Sequence, residues 1–104
     1  MDDVVLVSGV RTAIGRLMGS LSDIPASDLG ATVIREAVAR GGVDPELVDH
    51  VVMGIVGQVA EDGYLSRNAT LKAGLPHRTP AMNVNRICGS GLEAINTAAR
   101  LIET

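Results

Sequence analysis

The sequence predicts an α/β fold with parallel strands, and three observations carry that reading. Apolar, partly β-branched runs recur at Val4–Val7, Val51–Met53 and Ala81–Val84. Segments of helical periodicity lie between and after them, giving the order β-α-β-α-β-α that right-handed crossovers in a parallel sheet satisfy. The apolar residues are almost all Val, Ile, Leu and Ala, with twelve glycines and Tyr64 as the only aromatic, so helices can approach strands closely. A length of 104 residues fits one domain.

The first strand, Val4-Val5-Leu6-Val7, is a continuous run of the kind that a buried parallel strand carries. A loop follows through Arg11-Thr12 and the glycine-punctuated stretch from Gly15 to Ser22. The first helix is predicted over Ala26–Arg40, with Leu29, Val33, Ile34, Ala37 and Val38 on one face. Ser27 or Asp23 is its expected N-cap, Glu36 and Arg40 pair one turn apart, and Gly41-Gly42 ends it. Asp44-Pro45-Glu46 starts a helical turn, with proline at the first helical position.

Val51–Met53 forms the second strand, and Gly57 to Tyr64 is a polar loop. A short helix is expected over Ser66–Ala73, closed by Gly74-Leu75-Pro76. Ala81–Val84 is the third strand. The last helix runs from Gly89 to the end of the sequence, with Leu92, Ala94, Ile95, Ala98, Ala99, Leu101 and Ile102 on a broad apolar arc suited to packing on a sheet. An apolar first strand at the edge of a three-stranded sheet is poorly suited to water, so the chain is expected to be part of a larger architecture.

A net charge of −3 without a basic patch argues against a nucleic-acid partner. No apolar run approaches the length of a membrane span, and the acidic start Met1-Asp2-Asp3 leads straight into a strand without a signal peptide pattern. A single cysteine fits a reducing compartment, and a cytoplasmic location is expected.

That cysteine, Cys88, is the candidate catalytic residue. It lies in Val84-Asn85-Arg86-Ile87-Cys88-Gly89-Ser90-Gly91-Leu92, where strand-like residues give way to a helical pattern. A strand-to-helix turn aims free N–H groups at the side chain and favours a thiolate there. Cysteine so placed is a nucleophile candidate, and the N–H of Cys88 or Gly89 can form part of an oxyanion hole. The competing structural reading is a small inert core residue. Gly89 and Gly91 leave room for close approach.

Other candidates carry less. His50, beside Asp49, and His77, after Leu75-Pro76, have no metal-ligand spacing, and one cysteine adds too few ligands for zinc. Glu61-Asp62 reads as a solvated acidic pair. Gly15 to Gly19 lacks phosphate-loop spacing. Arg67 suits an ion pair or an interface contact, and the Asn83-Val84-Asn85 amides suit bracing of the nucleophile turn. No convincing general base accompanies Cys88.

Taken together, these residues resemble the N-terminal part of a thiolase of the acetyl-CoA acetyltransferase type. Val5 to Arg16 is similar to the family's opening strand and loop, and Gly19-Ser20-Leu21 with Pro25-Ala26 to Leu29-Gly30 to the approach to its first helix. Met53-Gly54 and Gln58 fit its second strand, and Ala73-Gly74-Leu75-Pro76 with Pro80-Ala81 fits the run-up to the nucleophile. Asn85-x-x-Cys88-Gly89-Ser90-Gly91-Leu92 is the most specific segment.

The resemblance implies a partial N-terminal domain of a layered thiolase-like α/β fold over residues 1–104, without the later strands and second half. It implies that Cys88 carries an acyl-thioester intermediate and that its backbone N–H serves an oxyanion hole. Acetyl-CoA, 3-ketoacyl-CoA and CoA are the implied substrates, in a lipid-metabolism role. No metal or prosthetic cofactor is implied, and the longer protein is expected to be a homo-oligomer. The family's later asparagine, its histidine and its second cysteine, the acid/base, have no counterpart here, and His50 and His77 do not match that histidine. Turnover is therefore expected of a longer protein or a complemented assembly. Two other readings are a non-catalytic assembly module and a ketosynthase-like condensing segment, the latter disfavoured by glycine at positions 89 and 91.

Overall fold

The computed structural model describes residues 2–104. Five main elements follow in order: α1 (Ala26–Arg40), β1 (Val51–Gly54), α2 (Leu65–Lys72), β2 (Ala81–Val84) and α3 (Ser90–Glu103). Short 3-10 turns occupy Pro45–Leu47 and Ala60–Tyr64. β1 and β2 pair in parallel from Val51 opposite Ala81 to Gly54 opposite Val84, with α2 as the crossover. The α/β class and the two later strands stand where the sequence predicts them.

The predicted first strand does not form. No ladder hydrogen bond reaches residues 4–7, and Leu6 is 81% exposed. A β-branched run makes a strand comfortable, but only a neighbour satisfying its N–H and C=O groups makes one. Among the described residues β1 pairs with β2 alone. The segment is tethered one residue later instead, where the Ser8 hydroxyl donates to the Ala37 carbonyl at 2.7 Å. Val10 then lines an open apolar groove of about 570 Å³ between α1, β1 and α3.

α1 has the predicted bounds but neither predicted cap. Pro25 precedes it without a side-chain cap bond, and its carbonyl accepts from the Asp28 and Leu29 N–H groups. Ser27 lies inside the helix facing α2, where its buried Oγ accepts from Lys72 Nζ at 2.6 Å. Lys72 also pairs with Asp28 at 2.9 Å, a hydrogen bond that raises the lysine's pKa. Arg35 donates to the Lys72 carbonyl, so a cation covers the negative end of α2. The Glu36–Arg40 pair forms at 2.7 Å, and Asp44 Oδ1 accepts from the Glu46 N–H at 3.0 Å to cap the turn at Pro45.

The face α1 buries also departs from expectation. Ser27, Gly30 and Ala31 are buried, whereas Leu29, Val33, Ile34, Ala37 and Val38 are only half-buried. α1 packs on α2, which contributes Ser66, Ala69 and Thr70. Two surfaces of small residues let the axes come close, and a Cβ on Gly30 would sit 3.1 Å from the Ala69 Cβ. Both helices end alike. Gly42 (φ 66°) and Gly74 (φ 83°) take the left-handed conformation, and the following N–H groups, of Val43 and Leu75, return to Val38 and Thr70.

The stretch from Gly57 to Tyr64 is not all loop, since its second half winds into the 3-10 turn that feeds α2. Asn68 Nδ2 donates to the Glu61 carbonyl and holds that turn against the helix. α3 contacts both strands, but its apolar arc is only partly covered: Ala94 is buried while Leu92, Ile95, Leu101 and Ile102 are exposed.

Candidate active site

β2 ends at Val84 and α3 begins at Ser90, so Cys88 lies in the five-residue connection between strand and helix. Its side chain is exposed. The helix is one residue away, because Gly89 is its N-cap residue and makes no side-chain cap bond. Cys88 is thus neither mid-helix nor walled into the core.

The connection is tied by a dense set of hydrogen bonds. Asn85 Oδ1 accepts from the Ile87 N–H at 3.0 Å. Ser90 Oγ accepts from the Arg86 N–H at 2.8 Å and donates to the Ile87 carbonyl at 2.7 Å. The Gly89 N–H bonds to the Arg86 carbonyl at 3.0 Å, and the Ser90 N–H to that of Ile87 at 3.2 Å. The Cys88 N–H has no acceptor among the described residues.

These bonds hold a strained backbone. Ile87 has φ 49°, a region that a β-branched residue rarely enters. Such a conformation costs on the order of 1–3 kcal/mol and persists only where its surroundings over-determine it. Asn85 and Ser90 do so by fixing the N–H and the C=O of Ile87.

Gly54, the last residue of β1, sets how close the helix comes. A Cβ there would fall 2.5 Å from the Ser90 carbonyl carbon and 2.8 Å from the Gly91 nitrogen. The first turn of α3 therefore rests directly on the β1 backbone. Gly91 has nothing within 4 Å of a Cβ position, and at Gly89 only the Arg86 carbonyl, 3.4 Å away, comes that near, so the outer side of the turn is open.

The remaining candidates fall elsewhere. Arg67 forms no ion pair among the described residues; it donates to the His77 and Thr79 carbonyls, both at 2.8 Å, and fixes the turn entering β2. Asn83 accepts from the Ser66 N–H and donates to the Gly63 carbonyl, bracing the start of α2, so of these two amides it is Asn85 that braces the turn carrying Cys88. His50 and His77 are exposed, and neither bonds to Cys88. Gly15 to Gly19 lies in a turn-rich loop. Among the described residues no group of three metal-ligating side chains occurs.

Sequence reasoning missed three parts of this site: the Ser90 hydroxyl, the close approach at Gly54 and the strain at Ile87. Two had a readable signal. A glycine closing an apolar strand marks close backbone approach, and a serine two residues past the cysteine is placed to bond the turn. The φ of Ile87 had none.

A family profile described as thiolase, N-terminal domain, matches residues 4–104. The chain belongs to the thiolase family. This thiolase domain is 51% identical over 102 residues to an acetyl-CoA acetyltransferase of Cupriavidus necator, covering 98% of the chain and 26% of that relative. It is 52% identical over 101 residues to beta-ketothiolase BktB of the same organism, covering 96% of the chain and 26% of the relative. An acetyl-CoA acetyltransferase of Escherichia coli is 46% identical over 103 residues, at 99% and 26% coverage. The thiolase chain thus spans 26% of the length of these curated relatives.

Proposed function

We propose that this chain supplies the nucleophile of a thiolase-type acyltransferase, with Cys88 as the residue that carries the acyl group between CoA thioesters. The observation that carries the reading is an exposed thiol one residue before the N-cap of α3, beside a backbone N–H with no acceptor among the described residues. The names of the relatives, acetyl-CoA acetyltransferase and beta-ketothiolase, support acetyl-CoA and 3-ketoacyl-CoA as the substrate class.

In the thiolysis direction the Cys88 thiolate attacks the 3-keto carbon of the ketoacyl-CoA. The bond between C2 and C3 breaks, acetyl-CoA leaves as its enolate and takes up a proton, and the acyl group stays on Cys88 as a thioester. The thiolate of free CoA attacks that thioester and releases the shortened acyl-CoA and the Cys88 thiolate. Negative charge grows on the carbonyl oxygen in each addition, and a Cys88 N–H without an acceptor among the described residues supports its role as the donor to that oxygen. The groups that move the protons are proposed to come from outside residues 1–104, because no histidine, carboxylate or second thiol bonds to Cys88 here.

The test is acetoacetyl-CoA thiolysis by the protein as encoded by its own gene. Cys88→Ala is expected to lower kcat by more than about a thousandfold, the scale on which loss of a covalent nucleophile acts. Activity within a few-fold of the unaltered protein would remove Cys88 from the reaction. It would leave the exposed apolar faces of α3 as those of a non-catalytic assembly module.

A further inference from the structure

We propose that Ser90 is a positioning residue for acyl transfer, holding the Ile87–Cys88 peptide so that the Cys88 N–H faces the reacting carbonyl. The inference rests on the reading of Cys88 as the acyl carrier. A peptide unit is planar and trans, so the Ile87 C=O and the Cys88 N–H point in opposite directions from one rigid plate. Whatever fixes that carbonyl also aims that N–H.

Ser90 fixes it. Its Oγ–H donates to the Ile87 carbonyl at 2.7 Å, and its own N–H reaches the same oxygen at 3.2 Å. The hydroxyl oxygen in turn accepts from the Arg86 N–H at 2.8 Å, so one side chain ties down the peptide groups on both sides of the turn. Ser90 is 5% exposed and pressed onto β1 at Gly54, which gives it a rigid seat. With the carbonyl drawn toward the helix start, the Cys88 N–H is left on the other side without an acceptor among the described residues. The positive φ at Ile87 is the backbone cost of that orientation, and a side chain able to relax would turn the plate back. Ser90 touches no reacting atom and acts through the Cys88 backbone.

The test compares Ser90→Ala with the unaltered protein, and Ile87→Gly/Ser90→Ala with Ile87→Gly alone, each as encoded by its own gene. Glycine takes positive φ freely, so the second pair keeps the turn foldable should Ser90→Ala alone fail to fold. Single-turnover acylation by acetyl-CoA reads the oxyanion donor, and alkylation by iodoacetamide reads the thiol itself. Loss of Ser90 is expected to slow acylation about a hundredfold or more in both pairs, the effect of an oxyanion-hole donor. KM is expected to stay close to that of the parent, with alkylation within about threefold because the thiol stays at the helix end. Acylation at the parent's rate in a folded Ser90 variant overturns the proposal, as does an equal fall in alkylation, which would mark general displacement of the turn. Full transfer by Cys88→Ala would instead remove the nucleophile reading on which the proposal rests.

Discussion

Glu93 lies one turn into α3 between two arginines, 2.9 Å from Arg100 and 3.6 Å from Arg86 of the Cys88 turn. The hydrogen bond from Arg100, and then the nearby positive charges, hold its carboxyl below the ordinary 4.5. A carboxylate with a lowered folded pKa contributes stability that is full above its unfolded value and lost as pH falls through the folded one. Thermal midpoints measured from neutral pH to about 3 should therefore fall more steeply for the unaltered protein than for Glu93→Gln. Because both arginines are exposed, the difference should shrink at high salt. Equal slopes would show that the cluster contributes nothing. At this scale the sequence was legible for the candidate nucleophile, since its strand-to-helix context is local. It was silent on Ile87, whose φ arises from bonds to Asn85 and Ser90 that only the folded turn brings together.

Among the elements, the helices and both paired strands were readable because their periodicity and stop signals are local, as Gly41-Gly42 and Gly74 show. What periodicity misjudged is which face is buried. Val33, Ile34 and Ala37 of α1 line the open groove, while its small face packs on α2. A branched side chain at Gly30 would meet Ala69 and Met53, so Gly30→Leu should destabilise by about 1–3 kcal/mol, the range for overpacking. A denaturation midpoint measures this, and an unchanged midpoint would mean that the contact between α1 and α2 is looser than described. The first strand was legible as an apolar β-branched run but not as a strand, since pairing depends on a neighbour rather than on the run itself.

For the molecule as a whole, the fold is a seat for one turn. β1 offers the flat backbone of Gly54, α3 lands on it, and the connection from β2 is pulled tight enough to strain Ile87 and leave Cys88 facing outward. Val5, Leu6 and Val7 before that seat, and Leu92, Ile95, Leu101 and Ile102 on α3, leave apolar side chains exposed. The proposed acyl transfer requires an acyl group to rest on the Cys88 sulfur between its donor and its acceptor. The most direct measurement incubates the protein as encoded by its own gene with acetyl-CoA, quenches in acid, and sequences the proteolytic peptides by mass spectrometry. An acetyl group on Cys88 that free CoA then removes is the predicted result. Acetyl transfer that proceeds with the label on another residue, or with none on Cys88, would contradict it.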